Sequence, residues 1–120
     1  MAAAAPLAKK LLLKPGMKVA LVGVPADQRS LFAAVEQAGG TADAVVLYAA
    51  TAKDVADLLP RARKQLAREA RLWVAYPKAK KLGTDLNRDS LWKLLEPQGF
   101  EGVRLVSLDD TWSGMMFRRK

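Results

Sequence analysis

Three runs in this sequence leave almost no polar residue on either side of a strand: "VALVGV" (19–24), "ADAVVLYAA" (42–50) and "RLWVAYP" (71–77). A strand with one wet face alternates apolar and polar residues. These do not alternate, so each is expected to be covered on both faces, as in a parallel sheet. Parallel neighbours need a crossover between them, and the intervening stretches have helical spacing. Asp27 opens one that carries Leu31, Phe32, Val35 and Ala38 and ends at Gly39-Gly40. Thr51 and Asp54 form a capping box for a second, with Val55, Leu58, Leu59, Ala62 and Leu66 as its buried stripe. Pro60 removes a backbone donor there, so a bend or restart is expected. A third helix begins between Thr84 and Asn87 and buries Leu91, Leu94 and Leu95. "GVRLVSLDD" (102–110) is a fourth strand, "TWSG" (111–114) a turn and "MMFRRK" (115–120) a fifth strand. No helix separates the last two strands, so they pair antiparallel.

Strands alternating with helices define an α/β, three-layer, Rossmann-like fold with a mainly parallel five-stranded sheet. At 120 residues the chain suits one domain, 16–120, preceded by an amphipathic helix and turn over 1–15 that carries Leu7, Leu11 and Leu12. It is 51% hydrophobic and 27% charged, enough to bury a core. The apolar runs are too short for a membrane helix and the first residues do not read as a signal peptide, so a cytoplasmic protein without a membrane partner is expected.

With neither cysteine nor histidine, the sequence excludes disulfides, thiolate and histidine catalysis and Cys/His zinc sites. The serines have no histidine partner, so no catalytic residue, metal or cofactor is assigned. The net charge is +8, spread over many segments. Such a field attracts nucleic acid or a small anion, and nucleic acid is kept as the alternative partner to a small anionic ligand.

In open α/β sheets ligands bind beyond the carboxyl ends of the strands. Four segments are expected there: "VPADQ", "AATAKD", "YPKAKKLGTD" and "LDDTWSG". The candidate ligand residues are Tyr76, Lys78, Lys80, Lys81, Thr84, Asp109, Asp110, Trp112 and Ser113, lining one shallow, anion-biased pocket with Trp112 as a stacking face. Trp73 and Trp92 read as core.

The phrases "KPGM", "WVAYPK", "TDLNRD" and "DTWSG", in that order, are similar to a family of small bacterial domains of unknown function that resemble a shortened methyltransferase-type Rossmann domain. The resemblance runs from Leu11 to Arg119 and implies a strand order of 1-2-3-5-4. It implies no activity. A site for S-adenosylmethionine on this plan uses a Gly-rich turn after the first strand and an acidic residue closing the next. Here the turn is "VGVPADQ", Gly23 stands alone, and the segment for the family's second and third strands is missing. The resulting expectation is a non-enzymatic ligand-binding or interaction module, with methyl transfer unlikely and an enzyme on a phosphorylated or carboxylate substrate as a further alternative. In the order 1-2-3-5-4, right-handed crossovers put all three helices on one face of the sheet, so the second face awaits the N-terminal helix or a homodimer contact.

Overall fold

The computed structural model describes residues 17–29, 36–37, 40–78, 84, 86–108 and 111–119; of residues 27, 29, 36, 37, 68 and 69 it describes the backbone. In chain order the elements are β1 (Lys18–Val22), α1 (Ala26–Arg29), β2 (Glu36–Gln37), β3 (Ala42–Tyr48), α2 (Ala52–Gln65), β4 (Leu66–Pro77), α3 (Arg88–Leu95), a 3-10 turn (Glu96–Gln98), β5 (Phe100–Ser107) and β6 (Trp112–Arg119). They form one sheet in the order β2-β1-β3-β4-β6-β5. β6 is antiparallel to both its neighbours, and the remaining pairs are parallel. The α/β Rossmann-like class is as the sequence indicates, and the five expected strands keep the order 1-2-3-5-4. The sheet nevertheless has six strands, because β2 adds itself outside β1.

That small strand changes the architecture. The sequence reading left the second face of the sheet without a helix of its own. The route β1-α1-β2 runs away from β3, while β3-α2-β4 runs the opposite way across the sheet. Two crossovers of the same hand travelling in opposite directions place their helices on opposite faces. Gln28 of α1 accordingly meets Tyr48, whose hydroxyl donates to Gln28 Oε1 at 3.0 Å. Two cores result. Val55, Leu59 and Ala62 of α2 and Leu91 and Leu95 of α3 cover Val45, Leu47, Leu72, Val74, Met115 and Phe117. The opposite face buries Val19, Val46, Tyr48, Trp73, Trp112 and Met116 together. The helix expected over 1–15 lies outside the described residues.

β2 and β3 flank β1 near its amino end. Val19 pairs with both Gln37 and Ala44, so β2 ends level with the start of β3.

α2 begins at its capping box: Thr51 Oγ1 accepts from Asp54 N at 3.2 Å, and Asp54 Oδ2 accepts from Thr51 N at 3.3 Å. The helix continues through Pro60 to Gln65, with no restart at the proline. α1 begins at Ala26, so Asp27 is inside it and does not cap it. β4 begins at Leu66, before the apolar run, and β6 begins at Trp112, so "TWSG" is strand from its second residue. Trp92, read as core, is 39% exposed. It lies across β5, where a side chain added at Gly102 would meet its ring at 3.1 Å. Among the described residues no helix is long and apolar enough to cross a membrane.

Candidate functional site at the carboxyl edge

β1, β3, β4 and β5 end, and β6 begins, at one edge of the sheet. The turn after β1 starts with Gly23 at φ 68, a left-handed backbone that glycine adopts without steric cost. A Cβ there would stand 2.7 Å from Leu58 Cδ1 and 3.0 Å from the Tyr48 carbonyl, so α2 closes one side of the turn. Gly23 itself is exposed on its other side. After β3 come Ala49, tied to Ala75 O at 2.9 Å, and Ala50, whose N–H donates to Asp54 Oδ2 at 3.1 Å. After β4, Lys78 N donates to Thr111 O at 2.7 Å, and across the β5–β6 turn Leu108 N donates to Trp112 O at 3.0 Å.

The expected pocket divides at this edge. Trp112 is not a solvent-facing turn residue: it opens β6, pairs with Pro77, and is 6% exposed. Its ring meets that of Tyr48 edge-on at 4.9 Å within the second-face core, on the opposite side of the sheet from Tyr76. The cause is the alternation of side chains along a strand. Ser113, the next residue, turns to the Tyr76 side and pairs with Tyr76 directly. Thr84 is buried, with Oγ1 accepting from Leu86 N at 3.0 Å, so its oxygen shapes the approach to α3. Lys78 is half-buried and its Nζ donates to Ser107 Oγ. Lys80, Lys81, Asp109 and Asp110 lie outside the described residues.

Burial pushes the Tyr76 phenol above its ordinary value of 10.0, and the Arg88 guanidinium works against the rise. Tyr76 therefore stands at the edge as a neutral hydroxyl. Sequence reasoning missed Arg88, Ser107 and the Gln28–Tyr48 pair. Only strand register brings Ser107 beside Ser113, and only the reversal at β1 brings Gln28 beneath Tyr48. A separate cavity of about 350 Å³, lined by Ala56, Leu59, Pro60, Arg63, Lys64 and Gln98, opens between α2 and the 3-10 turn. Arg63 closes one side of it, donating to Gln98 O at 2.9 Å with its guanidinium 5.1 Å over the Phe100 ring.

No protein-family model and no curated protein matches the sequence. Solved structures do match. A ribosomal protein L11 methylase from Lactobacillus delbrueckii subsp. bulgaricus superposes with a TM-score of 0.61 at 14% identity, over 98% of this chain and 77% of its own. A SAM-dependent methyltransferase from Aquifex aeolicus gives 0.62 at 13%, over 98% and 89%. The 1,6-didemethyltoxoflavin-N1-methyltransferase of Burkholderia thailandensis, solved with S-adenosylhomocysteine, gives 0.62 at 13%, over 99% and 77%. The chain thus has a methyltransferase-like Rossmann fold.

These likenesses correct the expectation of a non-enzymatic module for which methyl transfer is unlikely. That expectation rested on the lone Gly23 and on the missing segment for the second and third strands; β2 supplies one short strand outside β1, and the rest of that segment is absent from the sequence. The described edge fits a nucleoside methyl donor in part: Gly23 supplies the exposed left-handed turn, and Ala49 and Ala50 bring no bulk. β2 supplies no ribose partner, because it ends opposite Val19, three residues below the end of β1 at Val22, or about 10 Å short of the edge.

Proposed function

We propose that the chain is a small methyltransferase-type domain, a cytoplasmic enzyme that takes S-adenosylmethionine where the carboxyl ends of β1 and β3 part. The strand order carries this reading. From β1 the chain steps outward to β2, and from β3 it steps the opposite way to β4, so the direction of winding reverses between β1 and β3, and such a switch point is where open α/β sheets hold nucleotide ligands. The exposed Gly23 turn and the small residues after β3 lie at that point, and nearly the whole chain superposes on enzymes of this kind. With a net charge of +8, the acceptor it suits best is anionic.

Calorimetric titration with S-adenosylmethionine and S-adenosylhomocysteine tests the donor site. A dissociation constant between about 1 µM and 1 mM is expected, the span usual for enzyme substrates. Ala50→Trp, which fills the gap after β3, is expected to abolish that binding while keeping the melting temperature. Absence of binding by either nucleoside at millimolar concentration would overturn the assignment.

A further inference from the structure

Tyr76, Ser113 and Ser107 are direct cross-strand partners on β4, β6 and β5. Directly opposed residues in antiparallel pairs share a face. Three hydroxyls therefore stand in a row across three strands, at the carboxyl edge and on the side covered by α2 and α3. With strands about 4.8 Å apart the row is about 10 Å long, nearer the length of a sugar-phosphate than of a lone carboxylate. It is graded in depth: Tyr76 is buried, Ser113 half-buried and Ser107 exposed. Two cations flank it. Lys78, two residues beyond Tyr76, returns to the same face and donates to Ser107 Oγ. Arg88, the first residue of α3, stands between Leu86 and Leu91, which share the buried cluster of Tyr76, and its contact with Asp89, 3.7 Å between two exposed side chains, is of the kind that contributes little.

From this juxtaposition we infer that Tyr76, Ser113, Ser107, Lys78 and Arg88 form a subsite for a phosphate group. Hydroxyls and cations converge there on a span that suits a phosphorylated ligand. In the frame of the methyl-transfer reading, on which this placement rests, the phosphate belongs to the acceptor. β4 is the immediate neighbour of β3, so the subsite adjoins the donor crevice. A free nucleotide and the backbone of a single-stranded RNA present the same phosphate chemistry.

The test titrates inorganic phosphate, adenosine 5′-monophosphate and a single-stranded RNA of about ten nucleotides into the full chain, with and without S-adenosylhomocysteine. Tyr76→Phe and Ser113→Ala change no charge, and each is expected to weaken the phosphate-bearing probes roughly tenfold, as loss of a hydrogen bond to a charged group does. Lys78→Gln weakens them at least as much, and because Lys78 lies beyond the end of β4 while Ser113 is inside β6, it remains informative if Ser113→Ala disturbs folding. Lys93→Ala, in the last turn of α3, removes an equal charge away from the row and leaves binding within about twofold. A response to adenosine monophosphate places a free nucleotide in the row. A response to RNA alone, falling steeply with salt, places a backbone phosphate there. Equal binding by wild type, Tyr76→Phe and Ser113→Ala, an equal loss in Lys93→Ala, or no binding of any probe overturns the subsite. Phosphate binding without S-adenosylhomocysteine binding leaves the row standing and removes methyl transfer. The converse removes the row alone.

Discussion

Gly23 and Gly99 both hold a left-handed backbone, at φ 68 and 92, yet the space around them differs. A Cβ at Gly99 meets nothing within 4 Å, so Gly99→Ala should cost only the conformational penalty of about 1–2 kcal/mol. At Gly23 the same change also drives a methyl group against Leu58 and the Tyr48 carbonyl, and overpacking of that kind adds roughly 1–3 kcal/mol. Urea unfolding should show Gly23→Ala as the more damaging of the two; equal losses would mean that Leu58 moves aside freely. Tyr76 carries a second expectation, in pH. Its folded pKa lies above the unfolded value of 10.0, so the native state holds the proton more tightly. The resulting stabilisation is complete below pH 10 and is lost as the pH rises through the folded pKa. Tyr76→Phe should flatten the fall in stability above pH 10, measured by urea unfolding at successive pH values, and an unchanged slope would exclude a buried, proton-holding phenol. At this scale the sequence is a good guide to which residue types gather at the edge, as Tyr76, Lys78 and Ser113 illustrate. It is a poor guide to faces. Trp112 looked like a stacking surface because glycine and serine follow it, and only its pairing with Pro77 reveals a core residue.

Among the elements, α2 joins a strong start to a weak middle. Its capping box satisfies backbone donors at the first turn, and Thr51→Ala should cost about 1 kcal/mol. Pro60 sits well inside the helix, where proline is about 3 kcal/mol less favourable than alanine. Pro60→Ala should therefore stabilise the chain by up to about that amount in chemical denaturation; a destabilised variant would mean that the ring is held by packing against its neighbours in the α2 cavity. The long elements were legible because their periodicity is strong: β3 and α2 fall where the apolar runs and the Thr51 cap put them. β2 was not legible, since two polar residues, Glu36 and Gln37, carry no periodicity, and their partner Lys18 is far away in sequence. The beginning of β4 was missed for a related reason. Arg68 and Glu69 break its apolar pattern, while Leu66 and Ala70 on either side of them are buried beside the α2 face.

For the molecule as a whole, the decisive fact is direction. The apolar composition of the first three strands correctly implied two covered faces, but sequence offered no way to see which helix belonged to which face. The answer depends on whether β2 exists and on which side of β1 it lies. Once it lies outside β1, α1 and α2 take opposite faces and the switch point between β1 and β3 follows. The edge of the sheet at β5 is the counterpart of that ordered centre. Val103 and Leu105 are 46% and 44% exposed there, but the register shift beside Val103 and the charge of Arg104 interrupt the strand as a template for further pairing. A homodimer through the β5 edge accordingly has little to recommend it.

β6 is later in the chain than β5 yet lies between β5 and the rest of the sheet. While the polypeptide is being made, β5 consequently leaves the ribosome with no strand to join. It has to wait for Trp112–Arg119 to follow it, and the exposed residues at 103 and 105 are then more exposed than they will ever be again. Translation near this point is the moment at which the nascent chain is most open to chaperones and proteases. For the same reason a chain interrupted before Trp112 loses an inner strand and strands β5 with it, so damage at this place has the effect of a deletion in the middle of the sheet.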